Sequence, residues 1–151
     1  MSSTTDPHNL QRFRDAQRDV YATALTELRA GRKRTHWMWF IFPQCAGLGV
    51  SPASEFYAIR SIAEARAYLD DALLGPRLRE CADAVLRHQG RSAADILGHP
   101  DDLKLHSSAT LFAAVAGQDS AFQRIVASFF DGTPDPRTLT FISNPEAGTG
   151  P

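Results

Sequence analysis

Residues 61–90 read SIAEARAYLDDALLGPRLRECADAVLRHQG, and their punctuation decides the kind of domain this chain builds. Ser61 and Glu64 have the S-x-x-E spacing of a capping box, in which two side chains satisfy backbone N–H groups that a first helical turn leaves free. The helix they open is expected to run to about Asp71. A second helix follows at once, with Pro76 near its start, where a missing N–H is harmless, and Gly90 just past its end. Leu78, Cys81, Ala82, Val85 and Leu86 make its inner stripe at helical spacing.

The same signals recur on both sides. Toward the N-terminus, Asp6-Pro7 opens a segment with Leu10, Phe13, Val20, Ala24, Leu25 and Leu28 spaced by threes and fours, closed by Gly31. It is expected to be one long amphipathic helix. Toward the C-terminus, Ser92 to Asp95 caps a short turn that stops at Gly98. Pro100 with Asp101 or Asp102 starts DLKLHSSATLFAAVAG, which ends at Gly117. Asp119 or Ser120 caps AFQRIVASFFDG, with Phe122, Ile125, Val126, Phe129 and Phe130 facing inward. PDPRTLTFI repeats the Asp-Pro start. AGLGVSPAS, residues 46–54, is expected to be a loop. No period of ~20–50 residues repeats. The reading is an all-α fold: a single compact domain over 7–142, with about six or seven unequal helices around one core. Residues 1–6 and 143–151 are expected to be flexible termini.

Bulk composition narrows the partners. The chain has 151 residues, 43% hydrophobic and 22% charged, with a formal net charge of -1. That length supports one core without a metal or disulfide staple. The charge argues against a broadly basic surface, and Arg12, Arg14, Arg18 and Arg29 are interleaved with Asp15, Asp19 and Glu27. This pattern reads as a solvated helix face rather than a nucleic-acid track. Two cysteines are too few for a secreted disulfide scaffold. There is no signal-peptide pattern and no apolar run approaching ~18 residues, so no membrane span, and a cytoplasmic protein is expected.

The stretch RKRTHWMWFIFPQ, residues 32–44, is ambiguous between a buried strand and a buried helical turn. As a strand it would put His36, Met38, Phe40 and Phe42 on one face and Trp37, Trp39 and Ile41 on the other. By area it must be mostly core, with one face left to wall a cleft against the Lys104 helix. Arg32, Lys33 and Arg34 complement the dipole of the helix they end. The alternative use is phosphate binding with Trp37 or Trp39 stacked on a base.

Other polar residues give a diffuse signal. Ser107, Ser108 and Thr110 sit mid-helix, where small hydroxyls need a partner, and Lys104 shares a face with the serines. His99 and His106 do not have a zinc spacing, and no metal or cofactor is expected. Cys45 lacks a visible base. His36, Trp37, Gln44, Tyr57, Lys104, Ser107 and Ser108 together have the chemistry of a small ligand pocket.

LRAGRKRTHWMWFIFPQCAGLG, YAIRSIAEARAYLDDALLGPRLREC and GRSAADILGHPDDLKLHSSATLF, in this order, resemble a bacterial family catalogued as domain of unknown function 1810, whose members are sometimes mislabelled calpastatin. The resemblance spans roughly residues 9–142. It implies a small, mainly helical single domain and carries no function with it. Ala109 stands where the family's SSMTLF pattern has Met, a packing change.

Two functional classes follow. The first is a pocket for an aromatic, anionic, nucleotide-like ligand, with hydrolysis or transfer requiring a base that neither Asp102 nor His36 clearly supplies. The second is a non-catalytic interaction domain for protein or nucleic acid. A concave site walled by Lys104 and the aromatic segment favours the first; a flat exposed patch favours the second.

Overall fold

Serine oxygens set the helix starts. Ser51, Ser61, Ser92 and Ser120 each accept a hydrogen bond from the N–H three residues on, at 3.0 to 3.1 Å. Each such cap is worth about 1 kcal/mol. The computed structural model describes residues 6–117 and 119–143. Its helices are α1 (Gln11–Gln17), α2 (Tyr21–Ala30), α3 (Met38–Ile41), α4 (Pro52–Phe56), α5 (Ile62–Asp70), α6 (Leu74–Leu86), α7 (Ala93–Leu97), α8 (Asp101–Ala116), α9 (Ala121–Phe129) and α10 (Pro136–Ser143). Among the described residues there is no strand, only an isolated parallel bridge between Cys45 and Ile59. The all-α class holds. Of the termini expected to be flexible, only Asp6 and Ser143 lie among the described residues. Asp6 accepts the N–H groups of Leu10 and Gln11, and Ser143 closes α10.

The described residues form ten helices rather than six or seven, two elements depart from expectation, and one ambiguous stretch is resolved. The long first helix is two helices, because the ladder tightens at Arg18–Val20, where Val20 N–H bonds the Gln17 carbonyl at 3.1 Å. The apolar stripe stays in phase across this break, so periodicity did not reveal it. The ambiguous aromatic stretch is one helical turn, which buries Trp37, Met38, Ile41 and Phe42 and leaves Trp39 and Phe40 half-buried. The alternating faces of a strand are therefore not formed. The expected loop at 46–54 contains the start of α4, where Pro52 follows the capping Ser51. Phe129 and Phe130, expected inside, are half-buried.

Arg12 departs from the solvated reading, which holds for the exposed Asp15, Arg18, Asp19 and Arg29. Its guanidinium is buried and donates to the carbonyls of His8, Asn9, Phe56 and Ala58 at 2.7 to 2.9 Å and to Glu64 Oε2 at 2.6 Å. Glu64 is the capping-box acid. Its other oxygen accepts the N–H of Arg60, so one carboxylate caps α5 and anchors α1.

α8 runs through the centre, packed against α5, α7, α9 and α10. Leu105 and every residue from Ser107 to Phe112 are buried, so no face of its middle meets water. This explains its hydroxyls. Thr110 Oγ1 donates back to the His106 carbonyl at 2.8 Å and accepts the Asp135 N–H at 2.9 Å. Ser107 Oγ reaches Asp135 Oδ2 at 3.0 Å, and Thr138 Oγ1 reaches the same oxygen at 2.5 Å. Asp135 thereby caps α10 and docks it on α8. A row of rings crosses the core, Phe13 to Tyr68 at 5.0 Å, Tyr68 to Phe112 at 5.5 Å and Phe112 to Phe122 at 5.8 Å.

Gly31 ends α2 at φ 76°, a left-handed conformation that side chains resist, and a Cβ there would meet Arg91 and His88. The chain must turn there, which delivers residues 32–37 to the N-terminal end of α8.

Candidate ligand cleft

The loop after α2 is wound around one acid. Glu27 is buried and accepts four hydrogen bonds: from the N–H groups of Arg34 and Thr35, from Thr35 Oγ1, and from the Trp37 indole at 2.9 Å. Burial alone would raise its pKa. The bonds from Arg34, Trp37 and Thr35 outweigh burial and hold it down at about 2. This pins the Trp37 ring inward. Lys33 is tied in the same way, its N–H bonded to the Ile96 carbonyl at 2.8 Å.

The Lys33 ammonium then lies 5.1 Å from the centre of the Trp37 ring and 2.9 Å from Asp101 Oδ2. Lys104 mirrors it from the first turn of α8, with its ammonium 4.1 Å from the Trp39 ring and 3.0 Å from Asp101 Oδ1. Two ammonium groups thus each rest on a tryptophan face, joined by one carboxylate. Burial pushes the Asp101 pKa up, but the hydrogen bonds and charges of Lys33 and Lys104 win and lower it. Of the three cations at residues 32–34, Lys33 is turned into the structure, with 8% of its side chain exposed. These groups line a cleft of about 100 Å³, together with His36, Met38 and Phe40. Each ammonium has three donors and gives one to Asp101, so the cluster can receive a further anion.

The residues singled out from sequence divide into two groups. His36, Trp37 and Lys104 meet at this cleft, His36 as an exposed rim residue and Trp37 as a buried wall. Gln44, Tyr57, Ser107 and Ser108 are not among its lining. Gln44 is buried beside the Cys45–Ile59 bridge, where its carbonyl accepts the Ile59 N–H. Tyr57 packs on Phe13, Phe40 and Phe56. Ser107 serves the Asp135 junction, and Ser108 is buried in the middle of α8. Lys33 and Asp101 lie 68 positions apart in the chain, so no local spacing announces the pair.

Asp102, His106 and the two cysteines, the other candidates for chemistry, are engaged elsewhere. Asp102 bonds His99 at 2.9 Å, and His106 stacks on Phe130 at 4.2 Å. Burial pushes the Cys45 thiol up to about 11 and the Cys81 thiol up to about 12, which suits core residues rather than nucleophiles. A wider depression of about 470 Å³ between α2 and α6 carries Arg29, Arg79 and Arg87, but also Glu80 and Asp83, and Arg29 pairs with Glu80 at 3.3 Å. No described helix is long and apolar enough to cross a membrane.

Fold and cleft together define a small all-helical domain built on a buried central helix, with an aromatic, lysine-lined recess at that helix's N-terminal end. The chain belongs to the family described as protein of unknown function (DUF1810), whose model matches residues 7–142. It is similar to the conserved hypothetical protein Rv1873 from Mycobacterium tuberculosis, known from a crystal structure. The two share 51% identity over 91% of this chain and 99% of that one, with a TM-score of 0.89. No curated protein matches the chain.

Proposed function

We propose that the recess between α3 and α8 is a binding site for a small anionic ligand with a planar group. The observation that carries this reading is the Lys33–Asp101–Lys104 cluster seated on Trp37 and Trp39. Buried or half-buried cations on aromatic faces are desolvated and poorly satisfied by one shared carboxylate, which favours an incoming anion. A volume of about 100 Å³ seats one headgroup or ring edge. A whole nucleotide would leave most of its atoms outside. The reading is one of binding: the titratable lining is a carboxylate held by two ammonium groups and an exposed imidazole, neither set up as a base.

The test is a thermal-shift comparison of the native chain and Lys104→Met against small phosphates, nucleotides and aromatic carboxylates. A ligand at 100 times its dissociation constant adds about 2.7 kcal/mol, roughly 5–10 °C for this size. A shift in the native chain that is absent in the variant supports the site. A shift of equal size in both removes the cleft from consideration.

A second reading, a non-catalytic interaction domain, draws on Val50 at 93% and Phe56 at 55% exposure around α4. Single exposed apolar residues are common on monomers, so this surface ranks behind the cleft.

A further inference from the structure

We infer that the recess selects a planar monocarboxylate over a phosphate-bearing ligand, an inference that rests on the anion-binding reading above. Charge comes first. The titratable side chains that line the recess are Lys33, Lys104, Asp101 and His36. Two lysines against one aspartate leave one positive charge, with the exposed His36 imidazole at the rim. One carboxylate balances that charge. A phosphomonoester, at about -1.5 to -2 near neutral pH, brings an excess that must then face the Asp101 carboxylate in a partly desolvated place, where like charges repel strongly.

Size points the same way. An apolar cavity of about 150 Å³ is enough for benzene. The recess, at about 100 Å³ and open to solvent, admits one edge of a ring with its carboxylate. A base joined through a sugar to a phosphate would leave most of its atoms outside it. Shape supplies the planar part. The Lys104 ammonium already lies 4.1 Å from the centre of the half-buried Trp39 indole. A flat ring edge that enters beside this lysine keeps the stacking surface covered while its carboxylate takes free ammonium donors. A compact, non-planar anion would satisfy the charge without adding contact to the rings that line the recess.

The experiment uses a built-in reporter. The chain has two tryptophans, and both line the recess, so intrinsic emission reads occupancy there directly. Benzoate, benzamide, phenyl phosphate and AMP are titrated into the full chain and into Lys104→Met, which keeps an aliphatic stem on Trp39. Circular dichroism checks the fold of the variant, and Lys104→Gln serves in its place if the first is misfolded.

The expected result is a saturable emission change with benzoate, binding at least tenfold weaker for benzamide and phenyl phosphate, and at least tenfold weaker benzoate binding in the variant. Phenyl phosphate or AMP binding as tightly as benzoate overturns the carboxylate inference and leaves an anion site. Benzamide equal to benzoate, or no saturable change with any of the four, overturns both the inference and the site.

Discussion

Nη2 of Arg12 lies 2.6 Å from Oε2 of Glu64, with 7% and 4% of the two side chains exposed. The pair ties the N-terminal helix to the first turn of α5 and to the carbonyls before it. Removing one member of a buried ion pair strands the other, at about 3–5 kcal/mol. Arg12→Ala is therefore expected to lower stability by about that amount in urea unfolding. Arg12→Lys should recover little, because one ammonium cannot match a planar fork that reaches five acceptors. A lysine variant as stable as the native chain would refute this account.

Acid should loosen the loop that builds the recess. Glu27 sits at about 2 in the folded chain against an ordinary 4.5, so it binds fewer protons folded than unfolded. Its stabilising contribution is complete above about pH 4.5 and is lost as pH falls toward 2. Asp101 is also lowered and acts in the same direction. Thermal midpoints measured across this range should fall on acidification. Glu27→Gln should flatten part of that slope and, at neutral pH, destabilise by about 1–3 kcal/mol. An unchanged slope would mean the four hydrogen bonds do not hold the carboxylate charged.

Gln44 offers the opposite sign. Its Nε2 is buried with no hydrogen-bond partner, and an unsatisfied buried donor costs about 1–3 kcal/mol. Gln44→Met keeps length and removes the donor, so the denaturant midpoint should rise, by up to about 1 kcal/mol in stability. A loss of that size instead would show that the amide has a partner in solution.

What could be read from the chain follows from the range of each interaction. Serine caps act over three residues, so Ser61, Ser92 and Ser120 were legible, and with them the helical class. The Ser51 cap is masked in the sequence by the glycines and proline around it. The break after Gln17 was hidden by a stripe that continues in phase. Arg12 looked solvated because its acceptors lie mostly 44 to 52 residues away. The candidate site was partly legible for the same reason: residue type points to His36, Trp37 and Lys104, whereas the pairing of Lys33 with Asp101 exists only in the fold. Ser107 and Ser108 were visible as anomalies, but their cause was a helix buried on every side rather than a pocket floor.

The row of rings from Phe13 through Tyr68 and Phe112 to Phe122 joins α1, α5, α8 and α9 in one continuous contact. None of these four helices can leave without exposing an aromatic face that its neighbours depend on. Backbone amides in the middle of α5 and α8 should therefore exchange with solvent deuterium only when the whole domain opens, at one shared free energy. The short α4, with Phe56 exposed and no ring in that row, should exchange far sooner through local openings. The molecule then behaves as one cooperative unit carrying a shallow, separately breathing margin.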